Sequence, residues 1–275
     1  MPGADRDGLT AGPADRLQAV GGAIVALDSG LGHMSEAPET FAYYETLPER
    51  VAAASEGKGV ARVVYWPGEF NYSQIINFGV EHAKGDYLLL LNNDTEVISP
   101  DFIEEMMGYL QRPDAGVVGA KLCFADHLVQ HAGILVGARG ALAHANQDFS
   151  AKREGYLARA VRPGNFRVVT GACQMVRRDV FEQVGGYNEK FAVGFKDTDF
   201  CLRVWEAGHR TIFTPYAELY HYEFTSRGRE EANEEKLRRW KREQALFMQR
   251  WPEFFLDGDP WLGPNLSDES EYFSV

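Results

Sequence analysis

YLLLLNNDTEV (residues 87–97) ends an apolar run abruptly on two asparagines and an aspartate. Tyr87 through Leu91 shows no polar alternation, the pattern of a strand covered on both faces rather than one. Asn and Asp satisfy turn backbone and tolerate unusual dihedrals, so a simple turn accounts for Asn92, Asn93 and Asp94. A strand that delivers a ligand to a site has the same look. By itself the stretch fits the turn better, and the surrounding sequence has to decide.

Working outward, VARVVYW (60–66) is β-branched and reads as a strand. YSQIINFGVEHAKG (72–85) sets Ile75, Ile76, Phe78 and Val80 on one broad helical face and stops at Gly85. Strand, helix and strand with short joints predict a parallel sheet in an α/β fold. Farther upstream, PETFAYYETLPERVAAA opens on a proline suited to a helix start. Downstream, SPDFIEEMMGYLQRP reads as a helix capped by Ser99, with Pro100 in its first turn and Pro113 beyond its end. AGVVGAKLCF and QHAGILVG follow as strands, residues 137–166 as irregular chain, VVTGACQMVRR as a strand and RDVFEQVGG as a short helix. DTDFCLRVWEAGHR is a helix opening on two aspartates, TIFTPYAELYHYE two short strands broken at Pro215, and EEANEEKLRRWKREQALFMQRW a long charged helix before a turn-rich tail. Residues 1–34 are Gly/Ala/Asp-rich and read as poorly ordered, apart from the short apolar run AIVAL.

With 45% hydrophobic and 12% aromatic residues, the chain of 275 residues can bury a substantial core. A formal net charge of −12 argues against a nucleic-acid partner, because phosphate binding needs concentrated Lys and Arg. Between Arg139 and Arg178 the balance reverses to eight basic residues against Asp148 and Glu154. This segment either meets an anionic substrate or lipid headgroup or is a solvated loop. Cys123, Cys173 and Cys201, odd in number and set among apolar neighbours, fit reduced thiols of a cytoplasmic protein better than a disulfide frame or a zinc site. No run approaches the roughly 18 apolar residues of a membrane span, and MPGADRDGLTAGPADRL lacks the apolar centre of a signal peptide. The expectation is a soluble, cytoplasmic chain. The helix around Lys236–Trp251 fits a solvated surface better than peripheral contact with the inner face of the cell membrane.

Three places carry candidate chemistry. In an open α/β sheet, ligands sit at the carboxyl ends of strands, which makes Asp94 a plausible oxygen ligand for a hard divalent cation, with Asn92 beside it. Asp197 and Asp199 stand two apart at a helix start, so they point in different directions. Asp197 is either an N-terminal carboxylate stabilised by the helix or a general base. Asp199, four residues before Arg203, makes a helix-surface ion pair in the plainer reading. His221 ends a short strand and is either a half-buried histidine or a metal ligand.

In order and spacing, NND, then TGACQMVRRDVFEQVGGYNEKF, then DTDFCLR, then PYAELYHYEFTSRG resembles the family 2 glycosyltransferases of the GT-A fold, nearest to the bacterial rhamnosyltransferase-type members that build cell-surface polysaccharide. The resemblance runs from about Ser35 to the C-terminus and includes GDPWLGPNLS near the end. It implies a GT-A-like (Rossmann-like), mostly parallel sheet over residues 35–229, followed by a C-terminal helix and tail over 230–275. It also implies that Asn92 and Asp94 occupy the D-x-D positions, Asp94 holding Mn²⁺ or Mg²⁺ against the diphosphate of a nucleotide-sugar donor, with His221 completing the metal site. Asn77, Asn92 and Asn93 would approach the donor. Asp197 would deprotonate the hydroxyl of a polysaccharide or lipid-linked acceptor in an inverting transfer, with Asp199 beside it orienting the acceptor or the helix. The residue before the base, usually acidic, is Lys196 here.

The likeness breaks at the N-terminus. Such enzymes begin with a strand-turn-helix unit and a second strand ending in an Asp/Glu-Asn-Asn-Ser-like turn, which hold the base and ribose. Here Ser35 stands as the last residue of that second turn, and AVGGAIVALDSGLGHM upstream does not match. AIVALDSG offers a substitute strand ending on Asp28, with no first strand before it. Three explanations follow: a truncated product with little activity, which is preferred; completion by a partner chain or by dimerisation; or residues 1–34 filling the gap. Gly32-His33-Met34 also fits a cloning remnant. The alternatives to a transferase are thus an inactive remnant that serves as a binding module, or a nucleotidyltransferase. The latter is disfavoured because no Gly-rich phosphate loop is present.

Overall fold

The leucine run does fold as a strand sealed on both faces. In the structure, a computed structural model that describes residues 23–28, 38–136, 142–222, 234–253, 259–261, 266 and 272–273, β3 spans Tyr87–Leu91. Leu88 and Leu90 enter one core cluster while Leu89 and Leu91 pack against another, as the two-residue period of a strand requires. The first cluster is filled by Phe181 and Phe200 from the helices α4 (Arg178–Gln183) and α5 (Lys196–Glu206), and by Phe247 and Trp251 at the end of α6 (Glu234–Arg250). The second is closed by Phe102, Ile103, Met106 and Leu110 of α3 (Phe102–Leu110).

The α/β architecture is as expected, but the sheet around β3 is mixed. β3 pairs antiparallel with β10 (Cys173–Arg177), which pairs antiparallel with β5 (Ala115–Cys123). β5 runs parallel with β11 (Arg210–His221), and β11 antiparallel with β4 (Thr95–Val97). β6 (Val129–His131) adds to β5 and β9 (Gly164–Phe166) to β11, completing seven strands. A separate hairpin joins β7 (Ile134–Val136) and β8 (Leu142–His144). The long excursion between β5 and β10 lets β10 enter in either sense, so the sheet is not bound to the parallel crossover that a short βαβ joint imposes.

The N-terminal part corrects one expectation and meets another. β2 (Val60–Tyr65), which the strand-helix-strand pattern places beside β3, pairs parallel with β1 (Ala23–Asp28) in a two-stranded sheet of its own. Among the described residues no ladder joins this pair to β3. AIVALD, the run that offers a strand ending on Asp28, does form one, because β2 supplies a full row of ladder partners. The proposed remnant at 32–34, the domain limits at 34/35 and 229/230, and most of GDPWLGPNLS lie outside the described residues. α1 (Pro38–Ala54) closes β2 through Leu47 and Val51, which meet Ala61 and Val63.

Two local readings also change. The segment around Pro215 is one strand, not two: β11 skips from Thr214 opposite Ala120 to Glu218 opposite Lys121, so Pro215 sits in a bulge where no ladder N–H is needed. Ser99 does not cap α3; its Oγ accepts Glu218 N–H at 3.1 Å, and Asp101 occupies the cap position without a side-chain bond. All three cysteines are buried free thiols, and burial pushes Cys173 and Cys201 up to about 12. No helix among the described residues is long and apolar enough to cross a membrane.

Candidate active site

β3 and β11 run in the same direction and finish at the same end of the seven-stranded sheet, where their C-termini converge. Asn92 N–H continues the β10 side by donating to Ala172 O (2.9 Å), Thr95 Oγ1 donates to Asn92 O (2.8 Å) across the turn, and Tyr222 N–H donates to Asp94 O (2.9 Å). His221, opposite Thr95 in the β11–β4 ladder, thereby meets the turn. Its Nε2 lies 3.2 Å from Asp94 Oδ1 and 3.3 Å from Asn92 Nδ2. The Asp94 side chain is 22% exposed and that of His221 9%, so the pair opens to solvent at the carboxylate.

Gln130 orients this histidine. Its Nε2 donates to His221 O at 3.3 Å, which leaves Oε1 to face His221 Nδ1 at 2.7 Å. An oxygen there requires a ring proton on Nδ1, so the neutral tautomer of this ring would turn its lone pair, on Nε2, toward Asp94. A nitrogen lone pair and a carboxylate oxygen side by side suit a shared cation. Two ligand atoms at right angles on an octahedral Mg²⁺-sized ion stand about 3 Å apart. The donor set therefore fits Mn²⁺ or Mg²⁺, with the long Asn92 contact giving way. Among the described residues no cluster of three His, Cys, Asp or Glu exists; the remaining ligands would come from outside these side chains.

Asp197 stands in the first turn of α5, which begins after Phe195 in a left-handed conformation (φ 60°). Its Oδ2 accepts Gly171 N–H (3.0 Å) and its Oδ1 accepts Thr198 N–H (2.9 Å). Burial alone would raise its pKa, but the Lys196 ammonium, the Gly171 N–H, the His144 imidazole and the Thr198 N–H together hold it below the ordinary value of 3.8. The carboxylate is thus ionised and able to take a proton.

Tyr72 links the two halves. Its hydroxyl lies 3.0 Å from Gly171 O and 3.5 Å from Asn92 Oδ1, under the Lys196 ammonium, which sits 4.3 Å above the ring. Burial and then the charges of Asp197 and Asp94 raise its pKa, so it stays a neutral phenol that donates. Nothing local in the sequence singles out Tyr72, because its partners Asn92 and Gly171 come from distant segments.

Two expected site residues sit elsewhere, while a third, Asn93, stays on the site turn. Asn77, on α2 (Tyr72–His82), spends its amide on the glycine turn beyond α4: Nδ2 donates to Tyr187 O (2.9 Å) and Oδ1 accepts Tyr187 N–H (2.8 Å). It brackets structure and has no group left for a donor. Asp199 is fully buried, its Oδ2 accepting from Arg203 Nε (2.8 Å) and its Oδ1 from Arg250 Nε (2.9 Å) and Trp251 Nε1 (3.0 Å). It anchors α6 to α5 and cannot orient an acceptor, pointing away from Asp197 as the two-residue offset on the helix requires. Asn93 is exposed on the turn.

Residues 49–244 match the family model described as "Glycosyltransferase like family 2". The chain belongs to that family. It is 41% identical over 205 residues to the uncharacterized protein y4gI of Sinorhizobium fredii, an alignment covering 74% of this chain and 22% of that protein. It is 36% identical over 206 residues to the O-antigen biosynthesis protein RfbC of Myxococcus xanthus, covering 74% of this chain and 16% of the relative. The matched part is thus a minor share of these longer proteins. Among solved structures, GalNAc-T7 with UDP, GalNAc and Mn²⁺ shares the fold at a TM-score of 0.55 and 15% identity, covering 74% of this chain and 37% of that one. The glycosyltransferase resemblance and the α/β fold read from the sequence are borne out.

Proposed function

We propose that this chain transfers a sugar from a nucleoside-diphosphate donor to a glycan or lipid-linked acceptor, with inversion at the anomeric carbon. Asp94 and His221 would hold Mn²⁺ or Mg²⁺, and Asn92 and Asn93 would flank the donor. When bound, the cation supplies positive charge for the leaving diphosphate. Asp197 accepts the proton of the acceptor hydroxyl as its oxygen attacks the anomeric carbon, and the bond pair departs with the diphosphate. Tyr72 keeps the Asn92 turn and the Gly171 turn in one arrangement. The observation that carries this reading is the 3.2 Å approach of His221 Nε2 to Asp94 Oδ1, tied through Asn92 and Tyr72 to the turn that holds Asp197.

The test is calorimetry with Mn²⁺ and UDP-, dTDP- and GDP-sugars. Heat that requires the metal and vanishes in Asp94→Ala supports the transferase. A second reading, an inactive remnant, draws on the separation of the β1–β2 pair from β3; absence of binding by every nucleotide would favour it.

A further inference from the structure

β6 is three residues long, yet its last two side chains reach different parts of the site. Neighbours on a strand point to opposite faces. Gln130 goes to His221, as described above. His131 is fully buried, and its Nε2 accepts two main-chain N–H groups, from Gly133 and from Thr170, each at 3.3 Å. Thr170 directly precedes Gly171, whose N–H holds Asp197. Two donors aimed at one ring nitrogen leave that nitrogen unprotonated, so the proton of the neutral ring is on Nδ1.

His131 Nδ1 lies 3.1 Å from Nδ1 of His144, the last residue of β8, with the rings edge-on at 5.1 Å. His144 therefore accepts at Nδ1 and carries its own proton on Nε2. Burial, then the neighbouring His144 and His221, hold His131 well below the ordinary histidine value, in keeping with a neutral ring. Burial also lowers His144, against the pull of the Asp197 charge. No feature of the sequence reading used either histidine.

We propose that β6 is a double bracket: Gln130 fixes the tautomer of the metal-binding histidine, while a tautomer-locked His131–His144 pair positions the Thr170–Gly171 turn and through it the Asp197 carboxylate. Gln130, His131 and His144 are positioning residues, and the second half of the inference rests on Asp197 being the base.

The decisive experiment is a ¹⁵N histidine spectrum of the full chain at neutral pH, assigned with His131→Gln and His144→Gln. Protons on Nδ1 of His131 and Nε2 of His144 are expected; a proton on His131 Nε2 overturns the bracket. Amide exchange then follows the turn. His131→Leu should speed exchange at Thr170 and Gly171 about tenfold, while His131→Gln, whose Oε1 still accepts, should stay near the parent. Equal exchange in the two variants overturns it. In transfer assays His131→Leu should lower kcat about 10–100-fold, leave donor KM within about twofold and be largely rescued by His131→Gln. Gln130→Leu should instead weaken Mn²⁺ binding, titrated without donor, about 10–100-fold; unchanged Mn²⁺ binding removes Gln130 from the proposal. If Asp197→Asn transfers at the parent rate, the base reading fails alone, because tautomers and exchange judge the bracket without any turnover.

Discussion

The seven-stranded sheet and the β1–β2 pair are built from similar apolar strands, yet only the first is sealed. All nine residues of β5 are buried, whereas no residue of β2 is, and Val60 and Tyr65 are exposed. Strand composition does not decide burial; the layers that arrive to cover it do. α3 closes one face of the large sheet, and α4, α5 and α6 fill the other. The polar groups at Asp94, His221 and Asp197 sit where that rigid support ends, which is where a preorganised site can be held.

The largest expected effect falls on the chemistry that the sealed sheet supports. Asp197→Asn should lower transfer about 10²–10⁴-fold and leave nucleotide binding by calorimetry near the parent. Parent-rate transfer would break the link between sheet and site. Because the folded pKa of Asp197 is depressed, its stabilising contribution is present above the unfolded value of 3.8 and is lost as pH falls through the lower folded value. The acid limb of the transfer profile should accordingly lie below 3.8.

Next comes the anchor of α6. Asp199→Ala leaves Arg203, Arg250 and Trp251 without their shared carboxylate and should cost about 3–5 kcal/mol in urea unfolding. A loss below about 1 kcal/mol would mean that α6 is not part of the sealed unit. Leu122→Ala on β5 should cost about 2–5 kcal/mol. The smallest change is Val60→Ala on β2, expected within about 0.5 kcal/mol; a cost as large as that of Leu122→Ala would show that β2 is covered after all.

Much of this was legible beforehand. The leucine run, α2, α5 and the pairing of Asp94 with His221 could be placed because each carries a local pattern or belongs to motifs with a characteristic order. Asn77 and Asp199 were misassigned because a motif position says which residue stands there, not where its amide or carboxylate points. Asp199 satisfies two arginines and an indole, one residue of each kind arriving from more than 40 positions away on α6. Tyr72, Gln130, His131 and His144 escaped notice for the complementary reason: a single aromatic, amide or imidazole has no periodicity, and its partners are set by strands far apart in the chain.

What the sequence by itself determined is the alternation of apolar strands and helices, and the residue types at two strand ends and one helix start that suit a cation and a base. Local propensity and burial pattern suffice for those. The tertiary structure alone decided that the central sheet is mixed, that β2 pairs with β1 instead, and which nitrogen of His221 faces Asp94. Strand partners and imidazole tautomers depend on contacts between distant segments, and no local stretch of sequence holds both sides of such a contact.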